Sequence, residues 1–312
     1  MTLYRSLLDA VGNTPLVELQ KLSPSREVRF FAKLEGYNPT GSVKDRIAKF
    51  MIESAERDGI LKPGQKLLEP TSGNTGISLA FVAKLKGYKL TVVLPDNAGD
   101  ERTNLLRSYG ADIVYSPGLR GTNGSIEVAQ EIAAKDSSFV MLYQYGNDAN
   151  PRAHYETTGP EILRDLPGTD VFIAGLGTGG TLTGTGRYLK DMRPSAKVIA
   201  AAPHPGDLVQ GLRSLEEGFI PPVFDPTVLD GRIVVDSANS FAGTKDLLEY
   251  EGIFAGISAG AVLRTAQKFA SRMERGNVVL LFADGGWKYL STNLWAKDYS
   301  DLPKDIDSKV WW

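Results

Sequence analysis

Short apolar runs rich in β-branched residues alternate with longer amphipathic segments along most of this 312-residue chain. The runs that predict strands include residues 66–69, 90–95, 112–115, 138–142, 171–174, 197–202 and 277–282. Segments with helical periodicity lie between them and include residues 43–59, 76–87, 102–110, 125–135, 181–192 and 260–274. Strands that alternate with helices indicate βαβ units, whose parallel strands are joined by right-handed crossovers. The pattern therefore predicts an α/β protein with twisted, mostly parallel sheets flanked by helices.

The length of the chain and one polar stretch predict more than one domain. A chain of 312 residues favours about two domains. Residues 145–152 are rich in glycine, asparagine and proline, and the alternation of strands and helices restarts after them. We therefore expect a domain boundary near residue 146.

The composition argues against several classes of function. The net charge of −2 gives no reason to expect nucleic-acid binding. Cysteine is absent and there are only two histidines, which argues against disulfides, thiolate nucleophiles and metal sites built from these residues. Apolar runs such as residues 278–283 are too short to span a bilayer, and the N-terminal residues lack the pattern of a signal peptide. We expect a cytoplasmic enzyme without a metal, nucleic-acid or membrane partner.

Ligands of open α/β sheets bind beyond the carboxyl ends of the strands, so the loops after strands are the places to look for chemistry. The first of these is the lysine loop, residues 38–46 (NPTGSVKDR), in which turn residues lead to a predicted N-cap at Ser42. Lys44 then falls in the first helical turn, where the positive end of the helix lowers the pKa of an amine. A neutral lysine is the nucleophile that forms Schiff bases. The alternative is an exposed lysine without a function.

The second candidate is the asparagine loop, residues 70–76 (PTSGNTG), between a predicted strand and a predicted helix. It brings hydroxyls, an amide and two glycines to a helix N-terminus, where backbone N–H groups attract anions. A substrate carboxylate fits such a place. The alternative is a capped helix start and nothing more.

The third candidate is the glycine loop, residues 175–181 (GLGTGGT), which also leads from a strand into a helix. Its glycines allow the backbone to approach an oxyanion closely, and its threonines add hydroxyl donors, so it predicts a phosphate site. The spacing of Gly175, Gly177 and Gly180 also matches a dinucleotide-binding motif. That motif requires an acidic residue at the end of the next strand, where this chain has Ala201-Ala202-Pro203. An NAD-dependent reductase therefore stays a remote alternative.

The fourth candidate is the serine loop, residues 256–260 (GISAG), which matches the nucleophile elbow of hydrolases. Those enzymes need a histidine after the serine, and no histidine follows Ser258. Ser258 could instead present its hydroxyl to a ring nitrogen, or act as the N-cap of the next helix, or do both.

Taken together, these loops resemble the cysteine synthase branch of the fold-type-II, tryptophan-synthase-β-like pyridoxal-phosphate enzymes. The resemblance covers nearly the whole chain. Besides the loops, it includes residues 11–17 (VGNTPLV), 251–258 (EGIFAGIS) and 283–292 (ADGGWKYLST). It implies a smaller, mobile α/β domain at residues 38–145. A larger domain at residues 1–37 and 146–312 would bind the cofactor phosphate and carry a C-terminal tail, residues 303–312.

The resemblance implies a role for each candidate residue. Lys44 would hold pyridoxal 5'-phosphate as a Schiff base and move the α-proton of the substrate. Asn74 would bond the ring hydroxyl of the cofactor, and Ser258 would face its pyridine nitrogen. The residues implied to hold the cofactor phosphate are Gly177, Thr178, Gly179, Gly180 and Thr181. Those implied to bind the substrate carboxylate are Thr71, Ser72, Asn74, Thr75 and Gln144.

The implied reaction replaces an oxygen leaving group on L-serine by sulfur, through an aminoacrylate, to give cysteine. Residues 210–221 (QGLRSLEEGFIP) resemble O-phosphoserine sulfhydrylases, in which the arginine that matches Arg213 binds the substrate phosphate. The alternatives are O-acetylserine as donor and a surface Arg213 paired with Glu216 or Glu217. The family also implies a homodimer and, as a possible sulfur source, a small carrier protein with a thiocarboxylate tail. Where the family often has Glu-Pro, this chain has Ala202-Pro203, which affects substrate choice more than cofactor binding.

Overall fold

The structure of this chain is a computed structural model that describes residues 3–71, 73–207, 209–298 and 310–311. The chain divides into two compact units. Unit 1 comprises Met1–Val11 and Asn38–Asn150, and unit 2 comprises Gly12–Tyr37 and Pro151–Trp312. The resemblance implies that residues 1–37 belong to the larger domain. Here Met1–Val11 belong to unit 1 instead. A contact within unit 1 holds this segment, because Nζ of Lys49 donates to the carbonyl oxygen of Leu8 at 3.1 Å.

The elements confirm the predicted α/β class. The strands are β1 (Leu16–Glu18), β2 (Val28–Leu34), β3 (Lys66–Pro70), β4 (Lys89–Pro95), β5 (Asp112–Ser116), β6 (Phe139–Met141), β7 (Thr169–Gly175), β8 (Lys197–Pro203), β9 (Gly231–Val235), β10 (Gly276–Phe282) and β11 (Val310–Trp311). The α-helices are α1 (Lys44–Arg57), α2 (Asn74–Lys86), α3 (Asp100–Ser108), α4 (Gly121–Lys135), α5 (Ala149–Ala153), α6 (Gly159–Asp165), α7 (Gly180–Met192), α8 (Ser237–Glu251) and α9 (Ile257–Ala270).

Shorter helical segments complete the description. One π-helix spans His154–Thr158, and 3-10 helices span Leu7–Ala10, Glu35–Tyr37, Gly118–Arg120, Leu215–Glu217, Pro226–Val228, Gly286–Thr292 and Leu294–Ala296. In the part of the chain that the structure describes, we find no helix whose length and apolar content would let it cross a bilayer.

Unit 1 contains a four-stranded parallel sheet in the order β5-β4-β3-β6. Helix α4 packs on it, and its residues Ala129 and Ile132 contact the buried side chains of Leu68 and Val93. Because all four strands are parallel, their carboxyl ends lie at one edge of the sheet. The asparagine loop begins at that edge.

Unit 2 contains a seven-stranded sheet in the order β1-β2-β10-β7-β8-β9-β11. The five central strands are parallel, and only the outer strands β1 and β11 run antiparallel to their neighbours. The core formed by this sheet includes Phe30, Ile173 and Leu280, and helix α9 covers it with Val262 and Leu263. The glycine loop begins at the carboxyl end of β7, near the middle of this sheet.

Candidate active-site segments

Lys44 is the first residue of helix α1. The hydroxyl of Ser42 accepts a hydrogen bond from the N–H of Lys44 at 3.2 Å, although the N-cap position is Val43 and not Ser42 as predicted. The buried carboxylate of Asp45 accepts hydrogen bonds from the N–H of Thr40, at 2.7 Å, and from its hydroxyl. These bonds fix the lysine loop so that half-buried Lys44 occupies the first turn of the helix.

The asparagine loop leaves strand β3 and enters helix α2 at Asn74. Gly73 has a φ of 150°, which favours glycine, and its N–H donates to the hydroxyl of Thr71 at 3.1 Å. The hydroxyl of Thr75 donates to Oε1 of Gln144 at 2.7 Å, and both side chains are buried. The structure therefore brings together two residues predicted to bind a carboxylate. Ser72, also predicted to bind it, lies outside the described residues.

The glycine loop connects strand β7 to helix α7, which begins at Gly180. Gly179 has a φ of 83°, and the N–H of Gly180 donates to the hydroxyl of Thr178 at 3.2 Å. A Cβ atom at Gly177 would lie 2.7 Å from the carbonyl oxygen of Gly211, so no side chain fits there. The loop thus ends at the start of a 13-residue helix, whose first N–H groups have no partner within the helix and can bind an anion.

The side chain of Thr181 in this loop is held by a residue that the sequence did not single out. Nε2 of His154 lies 3.2 Å from the hydroxyl of Thr181, and Nδ1 lies 2.9 Å from the hydroxyl of Thr158. His154 is 1% exposed and begins the π-helix, a form that is frequent at functional sites. The only signal in the sequence was that His154 is one of two histidines.

Ser258 lies in the first turn of helix α9 and is 5% exposed. The N-cap of this helix is Gly256, so the alternative in which Ser258 caps the helix is wrong. A Cβ atom at Gly211 would lie 3.9 Å from the hydroxyl of Ser258. Since Gly211 also faces Gly177, unit 2 brings the serine loop and the glycine loop to the same short segment of chain.

Arg213 follows that segment. Its N–H donates to the carbonyl oxygen of Leu176 at 2.7 Å, which joins its backbone to the glycine loop. Its guanidinium carbon lies 4.9 Å from the ring centroid of Phe219, a cation–π distance. The carboxylate of Glu216, one of the two suggested partners of Arg213, is bonded by Ser214 and by Arg232.

Comparison with protein families places this arrangement in a known group. A family described as "Pyridoxal-phosphate dependent enzyme" matches residues 7–284. A curated relative from Bacillus subtilis, named "Probable cysteine synthase", is 42% identical over 300 residues, which cover 92% of this chain and 96% of that protein.

Two solved structures resemble the fold over almost its full length. One is an O-ureido-L-serine synthase with a TM-score of 0.89 and 39% identity, covering 98% of each chain. The other is a cysteine synthase from Entamoeba histolytica with a TM-score of 0.88 and 30% identity, covering 95% of this chain and 92% of that one.

Proposed function

This chain belongs to the family of pyridoxal-phosphate-dependent enzymes, and from that membership we propose that it is a cysteine synthase. It would replace the oxygen leaving group of an activated L-serine by a sulfur nucleophile. The names of the curated relatives support the product, and the O-ureido-L-serine synthase supports a serine oxygen derivative in the reaction. The dinucleotide alternative lacks support, because strand β8 ends at Ala202-Pro203 without an acidic residue.

The observation that carries the proposal is the fit of the glycine loop to a phosphate monoester. Gly177 has no room for a side chain against Gly211, helix α7 begins at Gly180, and the hydroxyl of Thr181 is held by His154. An oxyanion bound there would meet backbone N–H groups, a helix N-terminus and hydroxyl donors. We therefore assign residues 177–181 to the cofactor phosphate.

The remaining cofactor contacts are proposed from the motifs. Nζ of Lys44 forms the covalent link to the cofactor, Asn74 bonds its ring hydroxyl, and Ser258 faces its ring nitrogen. The buried hydroxyl of Ser258 fits this role because it is neutral, so it does not force a proton onto the nitrogen as a carboxylate would. When bound, the cofactor withdraws electrons from the α-carbon of an amino acid.

The residues of the chain then divide the work of β-replacement. Thr71, Ser72, Asn74, Thr75 and Gln144 bind the substrate carboxylate. The substrate amine would replace Nζ of Lys44 in its link to the cofactor. The freed Nζ would then remove the α-proton as general base, and the leaving group would depart from the β-carbon with its bonding electrons. The sulfur nucleophile bonds to the β-carbon, and Lys44 returns a proton to the α-carbon.

We take O-phospho-L-serine as the donor because of Arg213. A guanidinium binds a phosphate with two charge-assisted hydrogen bonds, which an acetyl ester does not need. The bond from its backbone N–H to Leu176 fixes the backbone of Arg213, and the cation–π contact with Phe219 holds the guanidinium. O-acetylserine with free sulfide is the second candidate, because the name cysteine synthase of the relatives does not distinguish the two donors.

Other parts of the proposal rest on the resemblance alone. They are a mobile smaller domain at residues 38–145, a homodimer, a cytoplasmic location, and sulfur supplied as sulfide or by a small carrier protein with a thiocarboxylate tail. The tail, residues 303–312, would reach toward the substrate. Most of it lies outside the described residues, and Val310–Trp311 pairs with β9 as an antiparallel edge strand.

Two lysines of helix α1 provide the experiment that tests the central proposal. Lys44 and Lys49 are both half-buried. We expect Lys44→Ala to lose the visible absorbance of the linked cofactor and the turnover of serine esters, and Lys49→Ala to keep both. Absence of visible absorbance in the wild-type protein supplied with pyridoxal phosphate would refute the proposal, and turnover by Lys44→Ala would refute the role of Lys44.

The donor is tested by comparing kcat/KM for O-phosphoserine and O-acetylserine in Arg213→Ala. Loss of a bidentate ionic contact is worth about 3 kcal/mol, so we expect a fall of roughly 100-fold for the phosphate ester alone. Arg187→Ala, which removes an exposed arginine of unit 2 paired with Asp225, is the control and should change neither. Equal losses for both esters would contradict a phosphate contact.

A further inference from the structure

Glu69 is a fully buried carboxyl group that the proposed chemistry does not use. It lies near the end of strand β3, directly before the asparagine loop. A buried carboxyl group without hydrogen bonds strongly destabilises a fold, because it has lost its contacts with water. The identity of its partners therefore shows what this side chain holds in place.

The partners of Glu69 are two consecutive backbone N–H groups from a distant part of the chain. The parallel ladder between β3 and β6 ends at the pair Leu68 and Met141. Beyond it, the N–H of Tyr143 donates to Oε2 of Glu69 at 2.8 Å, and the N–H of Gln144 donates to Oε1 at 2.9 Å. The side chain of Glu69 thus replaces the ladder where strand β6 has ended.

The segment that Glu69 holds has an unfavourable backbone conformation. Tyr143 has a φ of 56°, in the left-handed region, which is unfavourable for a residue with a side chain because Cβ approaches the following carbonyl oxygen. The N–H of Gly146 donates to the carbonyl oxygen of Tyr143 at 3.0 Å and closes the turn. The two hydrogen bonds to Glu69 offset this cost at Tyr143 itself and at the next residue.

The same turn determines where the side chain of Gln144 lies. The side-chain oxygen Oε1 of Gln144 accepts a hydrogen bond from the hydroxyl of Thr75. The backbone carbonyl oxygen of Gln144 accepts one from Nδ2 of Asn150 at 2.8 Å. Because the amide oxygen is used by Thr75, the amide nitrogen presents its two N–H donors to a different acceptor. One oxygen of a carboxylate is such an acceptor.

We infer that Glu69 is the positioning residue of the substrate carboxylate site, because it fixes the turn that sets Gln144 beside Thr75. The inference rests on the proposed function, which takes Thr75 and Gln144 as carboxylate ligands. The end of strand β3 then positions both parts of the carboxylate site. Its backbone continues into the asparagine loop, and the side chain of Glu69 fixes the turn that carries Gln144.

The test is the split between KM and kcat in Glu69→Gln. A glutamine keeps the size of the side chain but turns an NH2 group toward one of the two N–H donors, so one hydrogen bond is lost. We expect KM for the serine ester to rise about tenfold, with kcat and the cofactor absorbance nearly unchanged. A tenfold change corresponds to about 1.4 kcal/mol, the size of one hydrogen bond.

Two further variants make the result specific. Glu56→Gln is the control. Glu56 is a half-buried carboxylate on α1 that pairs with Lys86 at the C-terminal end of α2, far from the asparagine loop, so this variant should leave KM unchanged. Adding Gln144→Ala to Glu69→Gln should raise KM less than Gln144→Ala does alone in the wild type, because the two residues act as a unit. If Glu69→Gln does not fold, Glu69→Asp keeps the carboxyl group on a shorter chain and should show the same rise in KM.

An unchanged KM in the folded variants, or strictly additive effects of Glu69→Gln and Gln144→Ala, would overturn the inference. A failure of the proposed function would give a different experimental result. In that case the wild-type protein itself would neither acquire the visible absorbance nor turn over a serine ester, before any variant of Glu69 is made.

Discussion

At the scale of single residues, the environment of Glu69 has a consequence for stability as well as for the site. Burial raises the pKa of this carboxyl group from its ordinary value of 4.5 to about 8, and the N–H donors of Gln144 and Tyr143 lower it only part of the way back. The folded chain therefore keeps a proton on Glu69 over a range of pH in which the unfolded chain has released it.

We predict that the stability of the protein falls as the pH rises from about 4.5 to 8 because of this residue. In this interval the folded state binds up to one more proton than the unfolded state, so the free energy of unfolding declines by up to about 1.4 kcal/mol per pH unit. Urea unfolding of the wild type and of Glu69→Gln at several pH values measures the effect. If the free energy of unfolding varied with pH in the same way for both proteins, Glu69 would not be the cause of the pH dependence.

At the scale of secondary-structure elements, local patterns predicted much of what was found. The strand predicted at residues 66–69 is β3 (Lys66–Pro70), and the helix predicted at residues 181–192 is α7 (Gly180–Met192). These segments carry their own apolar periodicity and begin or end at glycines and hydroxyl residues, so neighbours in sequence determine them. The loops that follow strands, including Lys44 and the glycine loop, were identified for the same reason.

The features that escaped prediction depend on contacts between residues far apart in the sequence. The hydrogen bonds that the N–H groups of Tyr143 and Gln144 donate to Glu69 span more than 70 residues, and nothing near Tyr143 indicates a positive φ. The contact between His154, at the start of the π-helix, and Thr181 likewise joins residues 27 positions apart. Helix α9 begins at Ile257, three residues before the helix that the sequence predicts at 260–274, so Ser258 lies inside the helix and not at its cap.

At the scale of the whole molecule, the N-terminal part of the chain is tied into unit 2 by a buried ion pair. Nζ of Lys33, on strand β2, lies 2.8 Å from Oε2 of Glu161, with side-chain exposures of 0% and 7%. Nζ also donates to the carbonyl oxygen of Thr14 at 2.6 Å, and the other oxygen of Glu161 accepts from the N–H of Asn13 at 2.9 Å. One pair thus joins strand β2, the turn before β1 and helix α6.

We predict that Glu161→Gln destabilises the whole protein far more than the loss of an exposed ion pair. The variant leaves the charge of Lys33 buried without an opposite charge, which costs about 3 to 5 kcal/mol in comparable cases. The urea midpoint should fall accordingly. Glu131→Gln, which breaks an exposed pair with Lys135 on helix α4, is the matched control and should leave the midpoint nearly unchanged.

The double variant Lys33→Met with Glu161→Gln separates the two causes of such a loss. If the buried charge is responsible, removing it should recover a large part of the midpoint, because an apolar side chain of similar length has no desolvation cost. If the network around Thr14 and Asn13 is responsible, the double variant should be at least as unstable as the single one. If Glu161→Gln were as stable as Glu131→Gln, the ion pair between Lys33 and Glu161 would not be what holds the N-terminal segment in unit 2.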